Sequence, residues 1–408
     1  MSDPPVTPVL PNSHVLVSAL GVMQILAWGC TFYLLAVLAP PIVAETGWSY
    51  EWVIGGLSVG LLGSGLVAPR IGRAIAAYGG RPVLALGAIC LATGLILIGI
   101  STQLWIYYAG WIVLGIGISA SLYDAAFSTL SVIYGKDARG PITAVTLFGG
   151  FANTVSWPLT AFLVAHLGWR GACFAHAAVQ LAISLPTVLL LVPRKPRVQT
   201  ATALSAPDAA PREKSALALR ADQRLVFALV AVVVTVNSGI LTIGGVHILS
   251  FLQGRGLTLA AAVALGTFVG PAQVGARVIE MWGGRHYHPV WTMIVATLLI
   301  ACGMGLLWSG IGFYALAMVL YGAGVGISSI ARGTMPLAFF GPAIYPIVMG
   351  RLALPALLSS AVAPLGGAFL LEYFGVEWTL AALTAVALFN VTAVTLLWRV
   401  SRHLRRAG

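Results

Sequence analysis

Arg73-Ala-Ile-Ala-Ala-Tyr-Gly79-Gly80-Arg81 recurs 204 positions later as Arg277-Val-Ile-Glu-Met-Trp-Gly283-Gly284-Arg285. Each copy follows one apolar run and precedes another, so each reads as a tight basic turn between two helices. Two further blocks repeat at an offset of 207: Gly115-Ile-Gly117-Ile-Ser119 with Gly322-Ala-Gly324-Val-Gly326, and Gly168-Trp169-Arg170 with Gly375-Val376-Glu377. A three-residue drift in offset is what one change in loop length produces. The chain is therefore expected to be two similar halves in the same orientation, related by an axis along the membrane normal.

The solvent of those halves follows from composition. Of 408 residues, 59% are hydrophobic and 8% charged, with a mean hydropathy of +0.96. A water-solvated domain needs roughly a quarter of its residues charged, so the chain reads as all-α and embedded in a lipid bilayer. Spans of about 20 apolar residues are needed to cross. The sequence accommodates twelve, near 14–40, 50–72, 82–100, 104–134, 141–166, 171–192, 223–253, 258–282, 288–308, 312–340, 348–372 and 376–400. This predicts a short tail over 1–13, a six-helix bundle over 14–192, a linker over 193–222, a second bundle over 223–400 and a basic tail over 401–408. A short amphipathic piece fits Ala216–Arg220. The Pro-rich opening does not read as a cleavable signal peptide.

The formal charge of +11 is not a nucleic-acid footprint. Arginines and lysines gather at alternate junctions between spans, whereas the intervening junctions hold little beyond Arg170 and Arg255. That bias predicts both termini and the linker in the cytoplasm. Cys30, Cys90, Cys173 and Cys302 fall in separate spans, and the histidines are dispersed. No metal, cofactor or enzyme constellation is expected.

Gly72 to Pro82 resembles the signature loop between helices two and three of the major facilitator superfamily, and the likeness extends over essentially the whole chain. In that family the loop carries an acid where this chain has Ala76, while the second copy keeps one at Glu280. The resemblance implies two pseudo-symmetric six-helix bundles that expose a midplane site alternately to each side. It also implies a cytoplasmic gate at Arg73, Arg81, Glu280 and Arg285. Phe32-Tyr33 through Pro40-Pro41 and Glu45-Thr-Gly-Trp-Ser49 are similar to the monocarboxylate carriers and oxalate/formate antiporters. Gln273-Val-Gly-Ala-Arg277 resembles their Asp-x-x-x-Arg, with glutamine in place of the acid.

An ionised side chain at bilayer depth is costly, so Asp124, Arg277 and Arg332 are the leading site candidates. The 207 offset sets Arg332 opposite Ala125, next to Asp124. Arg332 reads either as a bidentate clamp for a carboxylate or as a structural partner of Asp124. Asp124 reads either as a proton-coupling carboxylate, whose occupancy responds to charge at a nearby arginine, or as the fixed partner in that pair. Arg277 is a second anion contact or, with Glu280 three residues on, a lock pair. Trp28, Tyr33, Tyr123 and Asn237 are weaker substrate candidates, with Gln24 alongside; packing is the rival reading for each. His176 and His247 read as interhelical hydrogen-bonding residues.

The expected function is alternating-access transport of a small, monocarboxylate-like organic anion, coupled to protons. The protein is expected as a monomer in a bacterial inner membrane, the bacterial assignment resting on abundant alanine and the excess of arginine over lysine. Efflux of a drug, metabolite or metalloid conjugate is the alternative, and a transporter-like nutrient sensor is the alternative of another class.

Overall fold

The structure, a computed structural model, describes residues 13–194 and 221–407; the predicted tail before residue 13, most of the linker and the amphipathic piece at 216–220 lie outside them. Among the described residues the chain is helical and crosses twelve times, six passes in each half. Three glycines separate consecutive passes where the helix is otherwise continuous. Gly168, Gly341 and Gly375 take φ of 68°, 73° and 73°, breaking helical runs that would otherwise merge. Gly168 and Gly375 are the two members of the 207 repeat, so the fold repeats the left-handed residue along with the sequence. Only glycine adopts that conformation without strain. The last pass runs as helix to Ala407, so the predicted basic tail is its final turns.

Four spans are not straight, which periodicity had not indicated. The first breaks between Ser13–Gly29 and Leu35–Thr46. The fourth breaks at Leu122, an extended residue between Leu104–Ser121 and Tyr123–Tyr134. The fifth breaks between Arg139–Gly149 and the helix that starts at Ala152, and the eighth between Leu259–Gly266 and Val269–Gly283. Each break frees backbone groups from the helical ladder. At bilayer depth such groups persist only where protein or a cavity receives them.

The end carrying the two basic turns is termed the loop end, and the opposite one the far end. At the far end each half is stapled internally. Arg170 pairs with Glu45 at 3.1 Å and donates to Gly99 O and Ser101 O, while Trp169 Nε1 donates to Glu45 at 2.6 Å. In the second half Arg255 pairs with Glu377 at 2.8 Å and donates to Leu307 O and Trp308 O. Both guanidiniums cap the carbonyl end of a helix, where a cation is favoured.

The halves meet along the second and eleventh spans. One apolar cluster joins Ile71, Ile75, Phe127 and Ile142 of the first half to Leu337, Tyr345 and Met349 of the second. A smaller one joins Leu61 and Ala68 to Ala353, Leu357 and Ala361. Closest of all, a Cβ added to Gly72 would lie 2.2 Å from Pro346 O, and one on Gly350 would lie 2.5 Å from Ala68 O. Backbones come this near only where small residues face each other.

Candidate functional site

Asp124 sits in the first turn of Tyr123–Tyr134, directly after the break at Leu122. There the carboxylate faces the positive end of a helix dipole. Its Oδ2 accepts from Arg332 Nη2 at 2.8 Å, across the boundary between halves. Equal depth predicted by the repeat is thus contact in the fold. The pair is sheltered, the two side chains being 20% and 27% exposed. Asp124 Oδ1 is buried and lacks a hydrogen-bond partner. A small cavity borders it, lined by Ala68, Ile71, Ser119 and Ser128 among others. Beside Arg332, Tyr345 Oη donates to Gly333 O at 2.6 Å and fixes the start of the eleventh span. Arg332 is therefore engaged by a carboxylate of the protein, the structural alternative that the sequence had left open.

Arg277 has a different environment. It is 5% exposed, its Nε donates to Gly326 O at 3.0 Å, and its Nη1 has no hydrogen-bond partner. It forms no ion pair among the described residues, and the predicted lock with Glu280 is not made. Nη1 reaches the break in the fifth span, where a Cβ on Gly150 would lie 2.3 Å from it. Glycine is what admits the guanidinium there. Next to it, the Tyr123 hydroxyl packs on Gly149. Tyr33 and Tyr123 both lie within electrostatic range of Arg277.

These tyrosines belong to one aromatic group. Trp28 lies 4.6 Å from Phe32, 5.3 Å from Tyr123 and 6.1 Å from Tyr33, centroid to centroid. Tyr33 meets Trp157 edge-on at 6.0 Å, and Tyr123 stacks on Phe127. Trp28 Nε1 is buried without a partner. Trp28, Tyr33, Tyr123 and Arg277, singled out separately in the sequence, are thus brought together by the breaks in the first, fourth and fifth spans. Gln24 serves one of those breaks, donating from Nε2 to Ser121 O at 2.9 Å. Asn237 is 7% exposed in the seventh span, with Oδ1 unpartnered.

The loop end departs from the expected gate. Arg73 is exposed, Arg81 half-buried, and neither makes an ion pair among the described residues; the side chain of Arg285 lies outside that set. Glu280 is 7% exposed and accepts from Tyr287 Oη at 2.6 Å and Thr292 Oγ1 at 2.7 Å. Partial burial, then Glu280 itself, push the Tyr287 phenol up to about 12, so it remains a donor at neutral pH. The strap between halves is Arg139, which donates from the first half to Tyr287 O at 2.7 Å and to Gly284 O. Sequence reasoning had given Arg139 only a share in the charge bias, which accounts equally for every basic residue at that end.

His176 bonds Thr160 at 3.0 Å and His247 bonds Pro364 O at 3.0 Å, each bridging two spans of one half. Among the described residues no three His, Cys, Asp or Glu side chains converge on a metal-sized site, and the four cysteines are free thiols.

Two helical bundles joined at one end, with charged groups sheltered between them, define a multi-pass membrane protein of the transporter type. Residues 20–286 match the family described as Major Facilitator Superfamily. The chain belongs to that superfamily, whose members are transporters rather than enzymes. The human organic anion transporter MFSD10 (TETRAN) is similar in fold, with TM-score 0.71 and 18% identity over 94% of this chain and all of that one. The proton:xylose symporter XylE matches with TM-score 0.71 and 15% identity over 95% of each chain. The fucose:proton symporter FucP of E. coli matches with TM-score 0.68 and 12% identity over 93% of this chain and 97% of that one. No curated protein matches the sequence.

Proposed function

We propose that this protein carries a small monocarboxylate-like organic anion by alternating access, coupled to protons, with Arg277 as the principal anion contact. One observation carries the reading: a buried guanidinium with an unpartnered Nη1 and no ion pair to a carboxylate among the described residues. A desolvated, uncompensated cation is costly for the protein alone, and an incoming oxyanion removes that cost. Tyr33, Tyr123 and Trp28 supply further polar edges to the same ligand, and Asn237 is assigned to the opposite bundle's wall.

Asp124 and Arg332 are assigned to coupling. Ionised, Asp124 holds Arg332 and keeps the loop end shut; protonated, it grips the guanidinium less, and the halves separate there. Arg139 and Glu280 form the gate, with Arg73, Arg81 and Arg285 supplying its basic rim. The charge bias favours a cytoplasmic loop end and termini, in a bacterial inner membrane, and a monomer suffices. The similar structures, an organic anion transporter and two proton symporters, support an anion cargo and a proton-linked cycle. The sequence likeness to the monocarboxylate and oxalate/formate carriers supports the same cargo.

The test is proton-gradient-driven uptake in proteoliposomes of labelled lactate, pyruvate, formate and oxalate. Wild type should accumulate at least one of them, and Arg277→Gln should lose binding. Asp124→Asn should keep exchange but lose accumulation. If no carboxylate binds while Asp124→Asn sensitises cells to toxic cations, export of a cationic compound replaces this reading.

A further inference from the structure

The surroundings of Arg277 narrow the cargo further. A formate or oxalate site needs donors on every side, because a small anion presents oxygen in most directions. Beside Arg277 stand instead Tyr33 and Tyr123, and the first and fifth spans pack further rings onto them: Trp28, Phe32 and Trp157. Trp28 and Tyr33 are inclined at 37° and Trp28 and Tyr123 at 56°, so their faces splay rather than seal against each other. Trp28, Tyr33 and Tyr123 are only half-buried, and Trp157, edge-on to Tyr33, is 44% exposed, so ring surface of this group remains uncovered. The buried polar atoms without partners in this group, Arg277 Nη1 and Trp28 Nε1, are both donors.

From this arrangement we infer that the cargo is an aryl-substituted monocarboxylate, its carboxylate on Arg277 and its ring against Trp28, Tyr33 and Trp157. The inference rests on the anion reading above and specifies it. One charged group is recognised by the guanidinium and the indole N–H. The flat apolar body is recognised by edge-to-face and offset contact with the rings, which favours aromatic over saturated groups of equal size. No second cationic side chain among the described residues of this group receives the far end of the ligand, which selects against dicarboxylates. Arg332 is excluded from that role by its contact with Asp124.

The test compares acetate, cyclohexylacetate, phenylacetate and indole-3-acetate as competitors of transport and as ligands of the purified protein, read by tryptophan fluorescence. Phenylacetate and indole-3-acetate should bind about tenfold or more tighter than acetate, and several-fold tighter than cyclohexylacetate. Trp157→Ala should pull the phenylacetate-to-acetate ratio toward one, and Trp157→Phe should restore it. Thermal unfolding of both variants shows that they are folded. Equal binding of acetate and arylacetates, or a ratio unmoved by Trp157→Ala, overturns the aryl assignment and leaves the anion reading standing. If neutral phenylacetamide binds as well as phenylacetate and Arg277→Gln changes neither, both fall together.

Discussion

At the far end the two halves do the same thing with opposite signs, whereas at the loop end they do different things. The first half sets Glu45 in the last turn of its first span and Arg170 at the start of its sixth; the second half reverses them as Arg255 and Glu377. In both, the guanidinium also takes the last carbonyls of the third helix of its bundle. What that corner requires is one arginine and one acid; which span supplies which is immaterial. At the loop end Glu280 is buried under Tyr287 and Thr292, while the equivalent residue in the first half is Ala76. The far-end staples, each within one bundle, are repeated; the loop-end contacts are single, both within a bundle at Glu280 and between bundles at Asp124–Arg332 and Arg139 on the second basic turn.

The largest expected effect falls on a single-copy tie. Arg332→Ala leaves the Asp124 carboxylate uncompensated, and the loss should be on the order of 3 kcal/mol, lowered by partial exposure of the pair. Thermal unfolding in detergent measures it, and Asp124→Asn combined with Arg332→Gln should recover part of the loss. Next is Glu280→Ala, which removes two charge-assisted hydrogen bonds and should cost about 2 kcal/mol. Ala76→Glu, which would make the halves alike, should change stability by no more than about 0.5 kcal/mol. Equal effects at these two positions would abolish the contrast between the turns.

A third substitution tests the crossing of the second and eleventh spans. Gly72→Ala should cost about 1–2 kcal/mol by overpacking, and it should shift the protein toward an open loop end. Labelling of a single cysteine placed at residue 346 should then become faster. The smallest effect belongs to the far-end staples, whose partners are 31% and 52% exposed in the first half. Glu45→Arg and Arg170→Glu should each cost about 0.5–1 kcal/mol, and the double exchange should restore about half of that. Failure of the exchange would mean that the second half's polarity is not transferable, and the sign symmetry would lose its meaning.

The repeat, the crossings and the central charges were legible because each depends on residue type and spacing alone. The offset between halves set Arg332 level with Asp124 before any geometry was known. Facing was not legible: a difference of 100° in helix rotation separates a paired arginine from a free one, and composition does not encode it. This is why the sequence left Arg332 open between a clamp and a partner of Asp124, whereas the fold shows it paired and Arg277 without an ion pair among the described residues. The helix breaks at 30–34, 122 and 150–151 were also hidden. The sequence there is as apolar as its surroundings, and the break is supported by tertiary partners such as Gln24 on Ser121 O.

The meeting of Gly72 with Pro346 and Gly350 has a mechanical consequence. Elsewhere, helices interlock through knobs of side chain seated in sockets, and pulling them apart means withdrawing each knob past its rim. Here two nearly bare backbones lie flat on each other, like plates without teeth. They adhere over a short distance, yet they glide and separate with little ruggedness in the energy along the way. A joint built so wears a low barrier to repeated motion, and even one methyl group would put grit in it.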